Sequence, residues 1–204
     1  MNDSQRFYRL HIRLEGIDPP IYRRLIVPGI ITLDRLNDVI QIAMGWSFSH
    51  LYEFGIGQKV YSEEIDEMGI FEVKLYEAGK YRLIDLIKQK GRTFRYTYDL
   101  GDNWEHTVTV EESRLEIDDV KYFIHCIDGE RACPPEDVGG VFGYHRFLES
   151  VSDPFSEEHD EDLEWYGGLY DSEYFDADDV NLMLMTYMMW SRDRLQPWFD
   201  YRGF

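Results

Sequence analysis

The stretch FRYTYDLGDNWEHTVTVE, residues 94–111, decides how the chain is read. Phe94, Tyr96 and Tyr98 recur at every second position, and Trp104, His106, Val108 and Val110 do the same further on. A period of two marks a strand with one buried face, because successive side chains point to opposite sides of a sheet. Between the two runs lies Gly101-Asp102-Asn103. Gly tolerates positive φ, and Asp and Asn hydrogen-bond their own backbone, so this segment predicts a tight bend and the whole stretch an antiparallel hairpin. The turn gathers the carboxylates Asp99 and Asp102, the amide Asn103, the indole of Trp104 and the imidazole of His106, which makes it the best candidate site in the chain.

Moving outward, Tyr8, Leu10, Ile12 and Leu14 alternate with polar residues and predict a strand over 6–15, broken at Gly16 to Pro20 because proline cannot donate to a ladder. Ile21 to Val27 resumes an extended pattern. Thr32 is a candidate cap for a helix to about Met44, with Leu33, Leu36, Val39, Ile40 and Ala43 forming an apolar stripe and Gly45 ending it. Leu51 to Gly57 and Val60-Tyr61 read as strand, Ile70 to Tyr76 as extended or irregular, and Leu83 to Gln89 as a short helix. Tyr122 to Ile127 reads as strand, and Asp128 to Gly140 as an irregular loop rich in Gly and Pro. Helices are predicted over 144–151, 156–165 and, capped by Asp176, 177–190. The last is apolar on most sides, which predicts a core helix, with a partner surface as the alternative. The sum is an α+β chain: one antiparallel sheet with packed helices, a single compact domain over residues 1–204.

Composition narrows the function classes. The net charge is −19, and residues 153–179 hold twelve acids with no Lys or Arg, whereas residues 1–50 hold five acids against six basic residues. Proteins that grip nucleic acid draw most of their non-specific affinity from cations on phosphate, so tight binding to duplex DNA is not expected. Arg6, Arg9, Arg13, Arg23 and Arg24 could form a small basic patch, but solvated or ion-paired strand residues are the plainer reading. There is no apolar run long enough to span a membrane and no secretory signal at the N-terminus, which predicts a cytoplasmic protein. Cys126 and Cys133 match neither a zinc spacing nor a disulfide framework and are expected to be reduced.

The familiar catalytic motifs are missing: there is no nucleophile elbow, phosphate loop, His-Glu-x-x-His or Cys-x-x-Cys. Two local clusters carry the remaining chemistry. The hairpin turn offers Asp99, Asp102 and His106 as oxygen and nitrogen ligands for a divalent metal, or as an acid and base pair. The loop after residue 128 offers Glu130, Glu136 and Asp137 beside Pro134-Pro135. His50 joins them if the segment after the first helix lies nearby. Against these stand plainer roles: turn Asp and Asn bonding the backbone, Trp104 and His106 packing in the core, and Glu130 pairing with Arg131.

Several of these stretches together resemble the Ri-plasmid open-reading-frame-three-like family. They are Pro19-Pro20-Ile21-Tyr22-Arg23-Arg24, Val39-Ile40-Gln41 leading to Gly45-Trp46, His50-Leu51, Tyr96 to His106, and Gly129 to Asp137, followed by Gly139-Gly140, Gly143-Tyr144 and Asp176 to Asn181. The resemblance implies a compact α+β fold and a mobile-element association, since some members bear a resolvase-like label. This chain departs from the family pattern at Tyr22, where a Trp is usual, at Asn37 and Tyr52, where His is often found, and at Val138, where a Cys is usual. Each departure removes a family aromatic, ligand or thiol.

Two functions fit. The first is a non-enzymatic binding or protein-interaction domain, without cofactor, whose aromatic and acidic cleft takes a protein or peptide partner through Asp99, Asp102, Asn103, Trp104, His106, Glu130, Glu136 and Asp137. The second is a metal-assisted hydrolase or nuclease-like enzyme with a divalent metal on Asp99, Asp102 and His106. The turn and the 128–140 loop are expected to lie side by side and to form the main functional cleft.

Overall fold

A computed structural model describes residues 6–63, 74–116 and 123–190. The hairpin is its centre: β6 (Thr93–Tyr98) and β7 (Trp104–Leu115) pair antiparallel, with Tyr98 opposite Trp104 and Tyr96 opposite His106. Beside them run β1 (Phe7–Leu14), β2 (Tyr22–Pro28), β3 (Tyr52–Ile56), β4 (Lys59–Ser62), β5 (Leu75–Glu77) and β8 (His125–Glu130). They form one eight-stranded sheet in the order β5-β4-β3-β6-β7-β1-β2-β8. Every neighbouring pair is antiparallel except β4 with β5.

The period of two sorts the sheet into a dry and a wet face. Tyr8, Leu10, Ile12 and Leu14 of β1, Phe94, Tyr96 and Tyr98 of β6, and Trp104, Val108 and Val110 of β7 are all buried. On the wet face Arg9 and Arg24 both reach Glu111, at 3.1 and 2.9 Å, so these arginines are paired strand residues. Helix α1 (Leu33–Met44) lays its stripe on the dry face, burying Leu33, Leu36, Val39, Ile40, Ala43 and Met44. Apart from Ala43, each such side chain contributes roughly 1.5–3 kcal/mol by leaving water. Polar groups fix the docking: Tyr96 donates its hydroxyl to Asn37 (2.8 Å) and accepts from the Gln41 amide (3.0 Å).

Arg23 positions the chain beyond β8. Its guanidinium is buried and donates to the carbonyls of Ala43, Tyr22, Glu130 and Arg131 at 2.7 to 2.9 Å, with the Phe175 ring 4.5 Å away. The end of α1 and the start of the loop after β8 are thereby held together.

Four sequence expectations change. Helix α2 spans only Leu83–Leu86. Strand β8 continues through Gly129 to Glu130, so the loop begins at Arg131; a side chain on Gly129 would lie 2.6 Å from the Phe175 ring, which fills that space instead. Helices α3 (Gly140–Ser152) and α4 (His159–Tyr166) replace the ranges 144–151 and 156–165. Helix α5 (Ala177–Trp190), capped by Asp176, packs beside α1 and β8 but is not a core helix: Leu184 is buried, whereas Leu182 (62% exposed) and Met189 (75%) face out. The expected extended segment 70–76 and strand 122–127 lie partly outside the described residues. Among the described residues no helix is long and apolar enough to cross a membrane.

Candidate functional site

Three segments meet at the turn end of the β6–β7 hairpin: residues 46–51 after α1, the turn 99–103, and the loop 131–139 between β8 and α3. Helix α1 stops because Gly45 is left-handed (φ 100°) and returns its N–H to the Gln41 carbonyl. Trp46 then folds back on the hairpin, 4.7 Å from the Tyr98 ring and edge-on to His106 at 5.3 Å, and donates its indole N–H to the Pro134 carbonyl at 3.1 Å. One side chain thus ties the segment after α1 to the hairpin strands and to the 131–139 loop. Glu136 adds a second tie, accepting from the Ser47 amide (2.7 Å), the Ser47 hydroxyl (2.9 Å) and the Tyr98 hydroxyl (2.9 Å). Burial and the Glu136 carboxylate push the Tyr98 pKa upward, so its hydroxyl stays a donor. Asp102 supplies a third, accepting the Gly139 N–H at 3.0 Å.

The approach of helix α3 is equally close. A Cβ on Gly140, whose φ is +66°, would lie 2.6 Å from the Asp102 carbonyl oxygen. Only glycine lets the two backbones meet there.

His50 lies in the middle of this junction. Its Nε2 is 3.1 Å from Asp137, 3.6 Å from Asp99 and 3.9 Å from Glu136, so carboxylates from two loops converge on one imidazole. Three of the residues that shape the mouth, Phe48 (φ 63°), Asp99 (φ 53°) and Asp137 (φ 57°), are left-handed without being glycine. Such conformations are uncommon and persist where the surroundings impose them. In the turn, Asn103 (φ 56°) is the other left-handed residue, and the Asp99 carboxylate accepts the Gly101 N–H at 2.8 Å, which closes an Asx turn. Phe48 (49%), Leu51 (39%) and Leu100 (51%), close in the chain to His50 and Asp99, are exposed.

The site residues read from the sequence divide accordingly. Asp99, Glu136 and Asp137 share the floor. Asp102 joins the two loops through backbone, Asn103 is exposed in the turn with its N–H on the Asp99 carbonyl at 2.6 Å, and Trp104 is fully buried beneath it. Glu130 is exposed at the end of β8 opposite Tyr22, and Arg131 pairs with Glu173 at 2.8 Å rather than with Glu130.

The metal set Asp99, Asp102 and His106 is corrected. His106 is fully buried against Trp46 and Tyr96, its Nδ1 3.3 Å from the Tyr96 carbonyl, and burial lowers its pKa to about 4. Asp102 is turned to Gly139. Among the described residues, the group able to hold a metal is His50, Asp99 and Asp137, whose ligand atoms all lie within 4.8 Å of one another. Local sequence pattern marks His50 only conditionally and does not mark Trp46, Ser47 and Tyr98 as the residues that assemble the junction.

A second acidic concavity, a cavity of about 200 Å³, lies between α1 and the β3–β5 edge and is lined by Asp34, Asn37, Asp38, Tyr52, Glu63 and Glu77. Two of the departures from the family pattern, Asn37 and Tyr52, face this same cavity.

The fold and site define an α+β protein on a mostly antiparallel sheet, with loops from three elements closing over one hairpin end. The chain belongs to the plasmid pRiA4b ORF-3-like protein family, whose model matches residues 6–179. It is 38% identical over 166 residues to the uncharacterized protein y4hQ of Sinorhizobium fredii (strain NBRC 101917 / NGR234), covering 80% of this chain and 83% of that one. The crystal structure of a protein of unknown function, MM3350 from Methanosarcina mazei Go1, superposes with a TM-score of 0.76 at 35% identity, covering 85% of this chain and 97% of that one. The fold expectation and the family resemblance hold.

Proposed function

We propose that this chain is a binding domain whose ligand is a segment of a protein or peptide, seated at the junction of the 46–51, 99–103 and 131–139 segments. The observation that carries this reading is the mouth itself: exposed Phe48, Leu51 and Leu100 stand beside a floor of Asp99, Glu136 and Asp137. Apolar side chains in company with convergent charges suit a ligand that is apolar with a basic group, since desolvation and charge pairing then favour the same pose. The floor is tied to sheet and helix through Trp46, Glu136 and Asp102, so little ordering opposes binding.

The test is fluorescence anisotropy with labelled peptides carrying one Lys or Arg between apolar residues, against matched peptides carrying Glu instead. The net charge of −19 attracts any basic peptide weakly, so the deciding variant is Phe48→Asn, which removes the ring but suits the left-handed backbone. The expected result is preference for the basic apolar peptide and at least tenfold weaker binding to the variant. Equal binding by wild type and variant would refute the assignment of the mouth.

A further inference from the structure

We propose that the floor of this cleft is a binding site for one first-row divalent metal ion, held by His50 Nε2, Asp99 Oδ2 and Asp137 Oδ1. The inference rests on the cleft reading only in taking the same loops as the site. Nothing in it requires a peptide ligand.

The first observation is the donor set. An imidazole nitrogen with two carboxylate oxygens suits ions such as zinc, manganese or iron rather than magnesium or calcium, which prefer oxygen alone. The second is spacing. Donors about 2.0–2.1 Å from a tetrahedral ion stand roughly 3.3 Å apart. The Nε2 to Asp137 and Nε2 to Asp99 separations are 3.1 and 3.6 Å, and all three ligand atoms fit within 4.8 Å. Small side-chain rotations bring the two carboxylates onto one ion.

The third observation is that one of the three donor atoms is buried and unsatisfied. His50 Nε2 is shut off from solvent and makes no hydrogen bond, although three carboxylates surround it. The Asp99 side chain is 9% exposed; its Oδ1 takes the turn N–H groups while Oδ2, the atom facing His50, accepts no hydrogen bond among the described residues. A buried polar atom without a partner is destabilising. The Asp99 and Asp137 carboxylate oxygens lie within 4.8 Å of each other, and their like charges repel. A divalent ion bound to all three would give the nitrogen a partner and offset the repulsion at once.

Glu136, 3.9 Å from Nε2, is held by Ser47 and Tyr98 and serves as an outer positioning group rather than a ligand.

The experiment uses the full chain, free of any histidine tag and stripped with chelator. Zinc chloride is titrated in by calorimetry, and divalent cobalt is added separately to read its visible absorption. The wild type is expected to bind one equivalent, with His50→Ala and Asp137→Asn each at least tenfold weaker. Circular dichroism checks that all variants stay folded. No binding by the wild type, or binding unchanged in both ligand variants, overturns the metal site. If the peptides of the preceding test bind while zinc and cobalt do not, the metal falls and the cleft reading stands. If the metals bind with the expected variant pattern and the peptides do not, the metal stands and the peptide reading falls.

Discussion

Acidification should unfold this protein in a way that one residue controls. His106 is fully buried, and its pKa is lowered to about 4 by burial, outweighing the raising influence of the Tyr96 and Trp104 backbone groups. In the unfolded chain a histidine titrates near 6.5. Between those values the unfolded state binds a proton that the folded state refuses, so stability is complete above about pH 6.5 and falls as pH drops toward 4. Each unit is worth about 1.4 kcal/mol, and the whole window amounts to about 3 kcal/mol. For a domain whose total stability is typically about 5–15 kcal/mol, that is a large share. The assay is urea unfolding from about pH 7.5 to about pH 4.5 for the wild type and for His106→Phe, which keeps an aromatic ring against Trp46 and Tyr96 but cannot titrate. Carboxylates contribute to both proteins alike, so the difference isolates His106. The wild type should lose about 2.5 kcal/mol more than the variant over this range. Parallel curves would refute the burial argument.

Three further outcomes are expected. Gly140→Ala forces a left-handed alanine against the Asp102 carbonyl and should cost about 2–3 kcal/mol in thermal unfolding while weakening peptide and metal binding together. Arg23→Met leaves the carbonyls of Ala43, Tyr22, Glu130 and Arg131 without their donor and should cost at least about 3 kcal/mol in urea unfolding, loosening the 131–139 loop. Because the net charge of −19 opposes phosphate, a gel-shift titration with duplex DNA at physiological salt should show no submicromolar binding.

What was legible in the sequence follows from periodicity. The hairpin and α1 were readable because each repeats its burial pattern over several turns or pleats, and Tyr96 and Leu36 sit where those patterns put them. Strand β8 was cut short because Gly129 reads as a breaker, whereas the Phe175 ring takes the place of its side chain. Helix α5 was misread because Leu182, Met183, Met185 and Met189 are apolar without a period that says which side is covered. The same logic shows why the site was half seen. Alternation already put His106 on the inward face with Trp104 and Val108, and under α1 that face is core. The partnership of His50 with Asp137 spans loops distant in the chain, and no local pattern encodes it. The departures at Asn37 and Tyr52 pointed to the other acidic cavity, not to this one.

The most direct test of where this protein binds is a titration of the isotopically labelled chain with divalent manganese, read as amide line broadening. Paramagnetic loss confined at low equivalents to residues 48–51, 99–101 and 136–138 is expected. Broadening centred instead on Asp34, Asp38 and Glu77, or spread along the acidic residues 153–179, would contradict the assignment of the hairpin end as the site.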